Sequence, residues 1–358
     1  MVEIFGGEKE PRPILGISIG DPAGIGPEIC LKALSKIEIY EKAILIVYAD
    51  RIVLEDAIKI AGKRFVLRQI KEPCGALGNP GTIEFIEAGV INAPGDYKSG
   101  EISAKAGDAA FQYVLRALND ALAGSIQAVV TCPISKEAIN LADHQFAGHT
   151  EIFAHYTNTK DYGMLLSANV GDRSLNVIHV TTHVPLRRAC ELITKERVLK
   201  TIILADKALK LMGSSQRRIA VAGLNPHSSE NGLFGNEEAE SIIPAIEEAK
   251  DKGLDVTGPV PPDTVFVKAL GGHFDIVVAM YHDQGHIPLK LCGFSLEAQG
   301  GSSRMRGINT TIGLPIIRTS VDHGTAFDIA GKNLANEESL LDALEMAVRF
   351  SRNIANLS

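Results

Sequence analysis

Residues 276–282 read IVVAMYH. The run Ile276, Val277, Val278 and Ala279 is unbroken, apolar and too short for a helix, as expected of a strand buried on both faces. A histidine, His282, follows where the run ends. Two other stretches have the same form: VIHVTTH at 177–183, ending on His183, and IAVAGLNPH at 219–227, ending on His227. Working outward, apolar runs predict strands at 14–19, 43–49, 126–131, 175–180, 218–224, 275–280 and 311–317. Between them lie helical patterns. In 103–123, Ala106, Ala110, Val114, Leu118 and Leu122 recur at spacing four, with Ser103 placed to cap the start. The stretch 194–212 opens on Thr194, a second cap, and carries Val198, Ile202, Ala205 and Leu209 on one face. Residues 236–252 and 337–351 are also helical by pattern. Alternation of strand and helix predicts a layered α/β protein with mainly parallel pairing.

The chain has 358 residues, enough for two domains, a formal net charge of -7 and ordinary hydrophobic content at 45%. That charge balance argues against wrapping a nucleic acid. No apolar run is long enough to span a membrane. The N-terminal stretch MVEIFGGEKEPRPILG lacks the pattern of a secretory signal, so a cytoplasmic location is expected. The five cysteines, Cys30, Cys74, Cys132, Cys190 and Cys292, are scattered and read as reduced thiols.

In open α/β sheets, ligands bind beyond the carboxyl ends of strands. His183, His227 and His282 all stand there, and neutral imidazoles ligate divalent transition ions. Three protein ligands leave coordination positions open, which suits catalysis. A histidine in a loop is more often only hydrogen-bonded, so the repetition carries this reading. The segment GDPAGIGPEI (20–29) follows a strand and precedes a helical pattern. It is either a phosphate-facing turn or a tight structural one, because its spacing matches neither G-x-G-x-x-G nor the P-loop. His149, Thr150, Lys290 and Arg318 lie beside strand ends and offer donors for a phosphate.

These motifs together resemble the 4-hydroxythreonine-4-phosphate dehydrogenase (PdxA) family of pyridoxal phosphate synthesis. The stretches that carry the resemblance are GDPAGIGPEI, TCPISKEAI (131–139), GHTEIFA (148–154), VTTHVPLR (180–187), GLNPHSSE (223–230), AMYHDQGHIPLK (279–290) and INTTIGLPIIRTSVDHGTAFDIAG (308–331). The resemblance implies a two-domain fold like isocitrate and isopropylmalate dehydrogenases, with the active-site cleft between domains. Residues 1–135 and 305–358 would form the nucleotide-binding domain, and 136–304 the substrate, metal and dimerisation domain. It implies a divalent metal (Zn, Mg, Co, Mn or Ni) on His183, His227 and His282, drawn from both chains of a homodimer. Substrate phosphate and backbone would be held by His149, Thr150, Lys290, Asn309 and Arg318. The loop His323, Gly324, Thr325 and Ala326 resembles the cofactor loop of the wider superfamily. Asp328 stands where its NAD-using members place an aspartate on the ribose, which favours NAD over NADP. Asp283 is a candidate for proton transfer or for orienting a metal ligand.

The activity implied is NAD-dependent oxidation, with decarboxylation, of 4-phosphohydroxy-L-threonine to 3-amino-2-oxopropyl phosphate. One departure bears on the substrate. About ten extra residues lie within 293–307, GFSLEAQGGSSRMRG, and bring Arg304 and Arg306. The TAFDIAG ending and the HIPLK motif look as much like catabolic paralogues acting on 4-phospho-threonate or erythronate, or on carboxylated cis-dihydrodiols. A metal-dependent phosphoesterase is the rival of another reaction class, although no paired-carboxylate motif accompanies the histidines.

Overall fold

A computed structural model describes residues 11–171, 173–295, 304–305 and 307–355. The architecture is α/β, built on one twelve-stranded sheet. In chain order the strands are β1 (Ile14–Ser18), β2 (Ile44–Tyr48), β3 (Val66–Gln69), β4 (Thr82–Ile86), β5 (Ala128–Thr131), β6 (Gly163–Val170), β7 (Arg173–His179), β8 (Ile219–Ala222), β9 (Val256–Val260), β10 (Ile276–Ala279), β11 (Phe294–Ser295), β12 (Arg304–Met305), β13 (Ile308–Ile312) and β14 (Ile317–Val321). The sheet runs β3-β4-β2-β1-β5-β14-β13-β6-β7-β10-β8-β9, and β11 with β12 form a separate two-stranded ribbon. Pairing is parallel from β3 to β14 and again from β7 to β9. Between these halves the pairs β14–β13, β13–β6 and β6–β7 are antiparallel.

The parallel strands are buried along most of their length, as their unbroken Ile/Val runs require. The predicted helix at 103–123 is Ala104–Leu122, and the Ser103 hydroxyl accepts the Ala106 amide at 3.2 Å. Ala106, Ala110, Val114 and Leu118 face the core, whereas Leu122 is exposed. The helix Lys195–Leu211 is capped by Thr194 and buries Val198, Ile202, Ala205 and Leu209.

One predicted strand needs correction. Residues 311–317 are not a single strand but the turn of a hairpin, with β13 ending at Ile312 and β14 starting at Ile317. The apolar letters IGLPII hide the break. Gly313 sits at φ +111, where a Cβ would lie 2.4 Å from the Asp161 carbonyl, and Pro315 has no amide to donate. Four strands of the main sheet, β3, β4, β6 and β9, were not predicted. Much of the extra segment within 293–307, including the Arg306 side chain and that of Arg304, lies outside the described residues. Among the described residues no helix is long and apolar enough to cross a membrane.

Candidate active site

A cleft of about 990 Å³ opens over the antiparallel joint of the sheet. Strand alternation makes its floor. Asn309 of β13 pairs with Ser320 of β14, so Asn309, Thr311, Arg318 and Ser320 share one face. Arg318 is only 2% exposed. Its Nη2 donates to Thr131 Oγ1 at 2.8 Å and its Nη1 to Thr311 Oγ1 at 3.2 Å. Its Nε is buried without a partner. No carboxylate pairs with it among the described residues, and burial pushes the guanidinium down to about 9.

The helix His149–Tyr156 starts beside this group. Thr150 Oγ1 lies 3.5 Å from Thr311 Oγ1, and His149 Nε2 is buried and unpartnered. Burial first, and Arg318 second, hold the His149 imidazole neutral. A buried, unpaired cation next to an unsatisfied imidazole nitrogen and a helix N-terminus is arranged for an oxyanion. His149, Thr150, Lys290, Asn309, Arg318, His323 and Gly324 all line the cleft, as does His183.

The histidines are divided. β7, β10 and β8 are parallel neighbours, so the segments after them leave the sheet at one edge. His183 and His282 come together with ring centroids 5.6 Å apart. Asp283 is exposed and bonds His282 Nδ1 at 2.6 Å, which leaves the other ring nitrogen free to ligate. His227 does not join them. It lies in the segment Pro226–Glu230, where His227, Ser228 and Ser229 are left-handed, and its ring packs 6.4 Å from Phe234. Among the described residues no group of three side chains in one chain could hold a metal ion.

Several site residues were missed by sequence reasoning. His286 stacks on His282 at 3.6 Å and 13°, and His179 lies 4.8 Å from His286. Burial pushes these two imidazoles down to about 4 and about 3. Helical spacing in HDQGH would have exposed the first, since His286 follows His282 by one turn. Lys136, Glu151 and Asp322 also line the cleft.

The glycine loop is structural. Residues 20–31 are all buried, the Ile25 amide donates to the Thr325 carbonyl at 3.0 Å, and a Cβ on Gly24 would lie 3.0 Å from Thr325. This loop therefore backs the His323–Ala326 turn. Space in front of Gly324 is open, with nothing within 4 Å of where its Cβ would be. Thr325, Ala326 and Asp328 do not line the cleft themselves, and Asp328 is exposed.

Fold and pocket together define an α/β protein with a preformed cleft for a small anionic ligand. The chain belongs to the family described as pyridoxal phosphate biosynthetic protein PdxA, whose model matches residues 41–347. It is 47% identical to a 4-hydroxythreonine-4-phosphate dehydrogenase of Desulfosudis oleivorans over 94% of this chain and 96% of that one. It is 46% identical to a D-threonate 4-phosphate dehydrogenase of Cupriavidus necator over 95% and 97%. The crystal structure of 4-hydroxythreonine-4-phosphate dehydrogenase from Klebsiella pneumoniae superposes with a TM-score of 0.82 at 42% identity, covering 95% of this chain and 98% of that one.

Proposed function

We propose that the protein is a cytoplasmic, homodimeric oxidoreductase that uses NAD and a divalent metal to oxidise and decarboxylate a four-carbon hydroxy acid phosphorylated at C4. The observation that carries this reading is the buried Arg318 guanidinium, unpaired and flanked by the unsatisfied His149 Nε2. A protein does not keep such a charge for stability, so it serves a ligand oxyanion.

Arg318, His149 and Thr150 bind the phosphate and so fix the distance of C3 from the histidines. Their binding energy, remote from the reacting carbon, is used for positioning. Lys290 and Asn309 hold the carboxylate and backbone of the substrate. His183 and His282 fit a divalent ion as two nitrogen donors, with His227 of a second chain as the third. His323, Gly324, Thr325, Ala326 and Asp328 fit NAD, because the open face at Gly324 adjoins the cleft and the glycine loop holds the turn rigid. When bound, these groups supply hydride acceptance and Lewis-acid polarisation of the reacting hydroxyl. Asp283 holds His282 in one orientation. By the same reading, residues 1–135 with 305–358, and 136–304, are the two domains on either side of the cleft.

The first substrate reading is 4-phosphohydroxy-L-threonine, giving 3-amino-2-oxopropyl phosphate for pyridoxal phosphate synthesis. The second is D-threonate 4-phosphate, favoured by the name of the Cupriavidus necator relative. Both are tested by supplying each compound with NAD and a panel of divalent metals, while following NADH absorbance and carbon dioxide release. The expected result is metal-dependent NADH formation with one of them. Release of inorganic phosphate without NADH would overturn the dehydrogenase reading in favour of a phosphoesterase.

A further inference from the structure

Asp322 follows directly on β14 and lines the cleft. It lines the same cleft as Arg318 and Ser320, four residues and at most roughly 13 Å of chain beyond Arg318. A ligand anchored by phosphate at Arg318 therefore extends along this cleft toward Asp322. Burial raises its carboxyl above the ordinary range, and Lys290 and His282, close by, partly offset this. Asp322 is half-buried: its Oδ2 packs against Gly307, inaccessible to solvent and without a hydrogen-bond partner among the described residues, while the side chain borders the cleft. Room for the carboxylate is made by Gly307, where a Cβ would come within 3.0 Å of Asp322 Cβ and 3.1 Å of Oδ2.

Like Glu151, Asp322 sets an acceptor among the donors that line this cleft. A carboxylate here repels a phosphate and a carboxylate, and a half-buried acceptor without a donor is costly to leave unsatisfied. It is retained at little cost if the ligand itself brings a donor. On the reading given above, on which this inference rests, the substrate's phosphate and carboxylate only accept. Its donors are the C3 hydroxyl and the group on C2. With the C3 hydroxyl at the His183–His282 pair, the C2 group remains.

We propose that Asp322 accepts a hydrogen bond from the hydroxyl or ammonium on C2 of the substrate, and is the residue that makes a donor at C2 obligatory. Asp322 is thus a specificity-determining residue, acting at the carbon next to the one oxidised. It recognises the feature shared by the amino acid and the threonate, and rejects a chain with a bare methylene there.

The test is calorimetric titration of D-threonate 4-phosphate and of its 2-deoxy counterpart, 3-hydroxy-4-phosphobutanoate, into the full-length protein. Wild type should prefer the C2-hydroxyl compound by about 10- to 100-fold, the range for a hydrogen bond to a charged group. In Asp322→Ala that ratio should fall to near one, through weaker binding of the hydroxyl compound alone. Asp322→Asn, which keeps an acceptor and the shape, should retain part of the preference and covers the case of a misfolded alanine variant. Inorganic phosphate should bind both variants as it binds wild type. A preserved ratio in Asp322→Ala, or an equal loss for both compounds, overturns the proposal. Failure of wild type to bind either compound or inorganic phosphate would instead remove the phosphate-anchored reading, and this one with it.

Discussion

Consider replacing Arg318 with methionine, which keeps a long apolar stem and removes the charge. Arg318 is 2% exposed, and burial lowers its guanidinium from far above neutral to about 9. At about 1.4 kcal/mol per tenfold change in acidity, holding it charged costs the ligand-free fold on the order of 5 kcal/mol. At neutral pH the group is charged in the folded and the unfolded chain, so the folded state bears that cost in full. Against it stand the hydrogen bonds from this charged donor to Thr131 and Thr311, together about 3–6 kcal/mol. The variant without ligand should therefore stay close to wild type in stability, within about 2 kcal/mol either way. Ligand binding moves the other way. Losing two charge-assisted hydrogen bonds, at about 1.5–3 kcal/mol each, should raise the KM for a phosphorylated substrate at least ~100-fold. Scanning calorimetry separates the two effects. Inorganic phosphate should raise the Tm of wild type by preferential binding to the folded state, and leave the Tm of Arg318→Met unchanged. The reasoning is refuted if the variant without phosphate melts well below wild type, or if phosphate still stabilises it. Either result would make the guanidinium a structural group.

Other expectations follow from the same contacts. Asp21 is fully buried and burial raises its carboxyl from 3.8 to about 6, so the folded chain binds more protons than the unfolded one between those values and stability falls as pH rises through them. Asp21→Asn should gain on wild type from pH 4 to 6 and hold a gain on the order of 3 kcal/mol at pH 7, read from urea midpoints; a pH-independent difference would exclude this cause. Gly285→Ala would put a Cβ 2.3 Å from His179 Nε2, so it should cost about 1–3 kcal/mol and displace the histidine stack, lowering both Tm and retained metal. Unchanged values for both would show that the stack yields freely. Finally, His183→Ala and His227→Ala chains are each expected to be inactive, yet refolded together they should recover about a quarter of wild-type activity, because half the dimers then hold one intact site in two. No recovery would place all three ligands in one chain.

The parts of the fold visible in the sequence were those with an unambiguous period. β1, β2, β5, β7, β8 and β10 are dense in Ile and Val, and the helices starting after Ser103 and Thr194 carry both a cap and an apolar face. β6 was hidden because GMLLSANV is rich in Met, Leu and Ala, which favour helices, and its strand form comes from pairing on both sides. β3 and β4 are short and mixed in character. The hairpin misread at 311–317 had a consequence for the site. With β14 placed at Ile317–Val321, Arg318 is inside a strand, the alternate position Ser320 follows from it, and Asp322 comes just past its end. Read as a residue after a strand, Arg318 has no such neighbours, and Asp322 is lost from view. His286 was lost for the parallel reason, since His282 was read as the end of a strand rather than the first residue of the helix His282–Gly293.

The two ends of the candidate site differ in a way that bears on assembly. The residues proposed to hold a phosphate meet in one chain: Arg318, His149, Thr150 and the threonines that fix the guanidinium. The histidine end is incomplete: among the described residues no three such side chains come together, and His227 sits apart in a run of left-handed residues. The segments that carry the separated ligands also carry unusual apolar exposure. Leu233 and Phe234, just after His227, are 69% and 46% exposed, and Ile287 and Leu291, on the helix that His282 begins, are 64% and 81% exposed. Single exposed apolar residues need no explanation, but here they cluster on the two segments whose histidines would have to meet. In the proposed homodimer one event would cover these side chains and bring His227 of one chain to the pair of the other. A separated chain would then keep its affinity for phosphate while losing its affinity for the metal, so dilution below the dimer's dissociation constant should abolish metal retention before it affects phosphate binding.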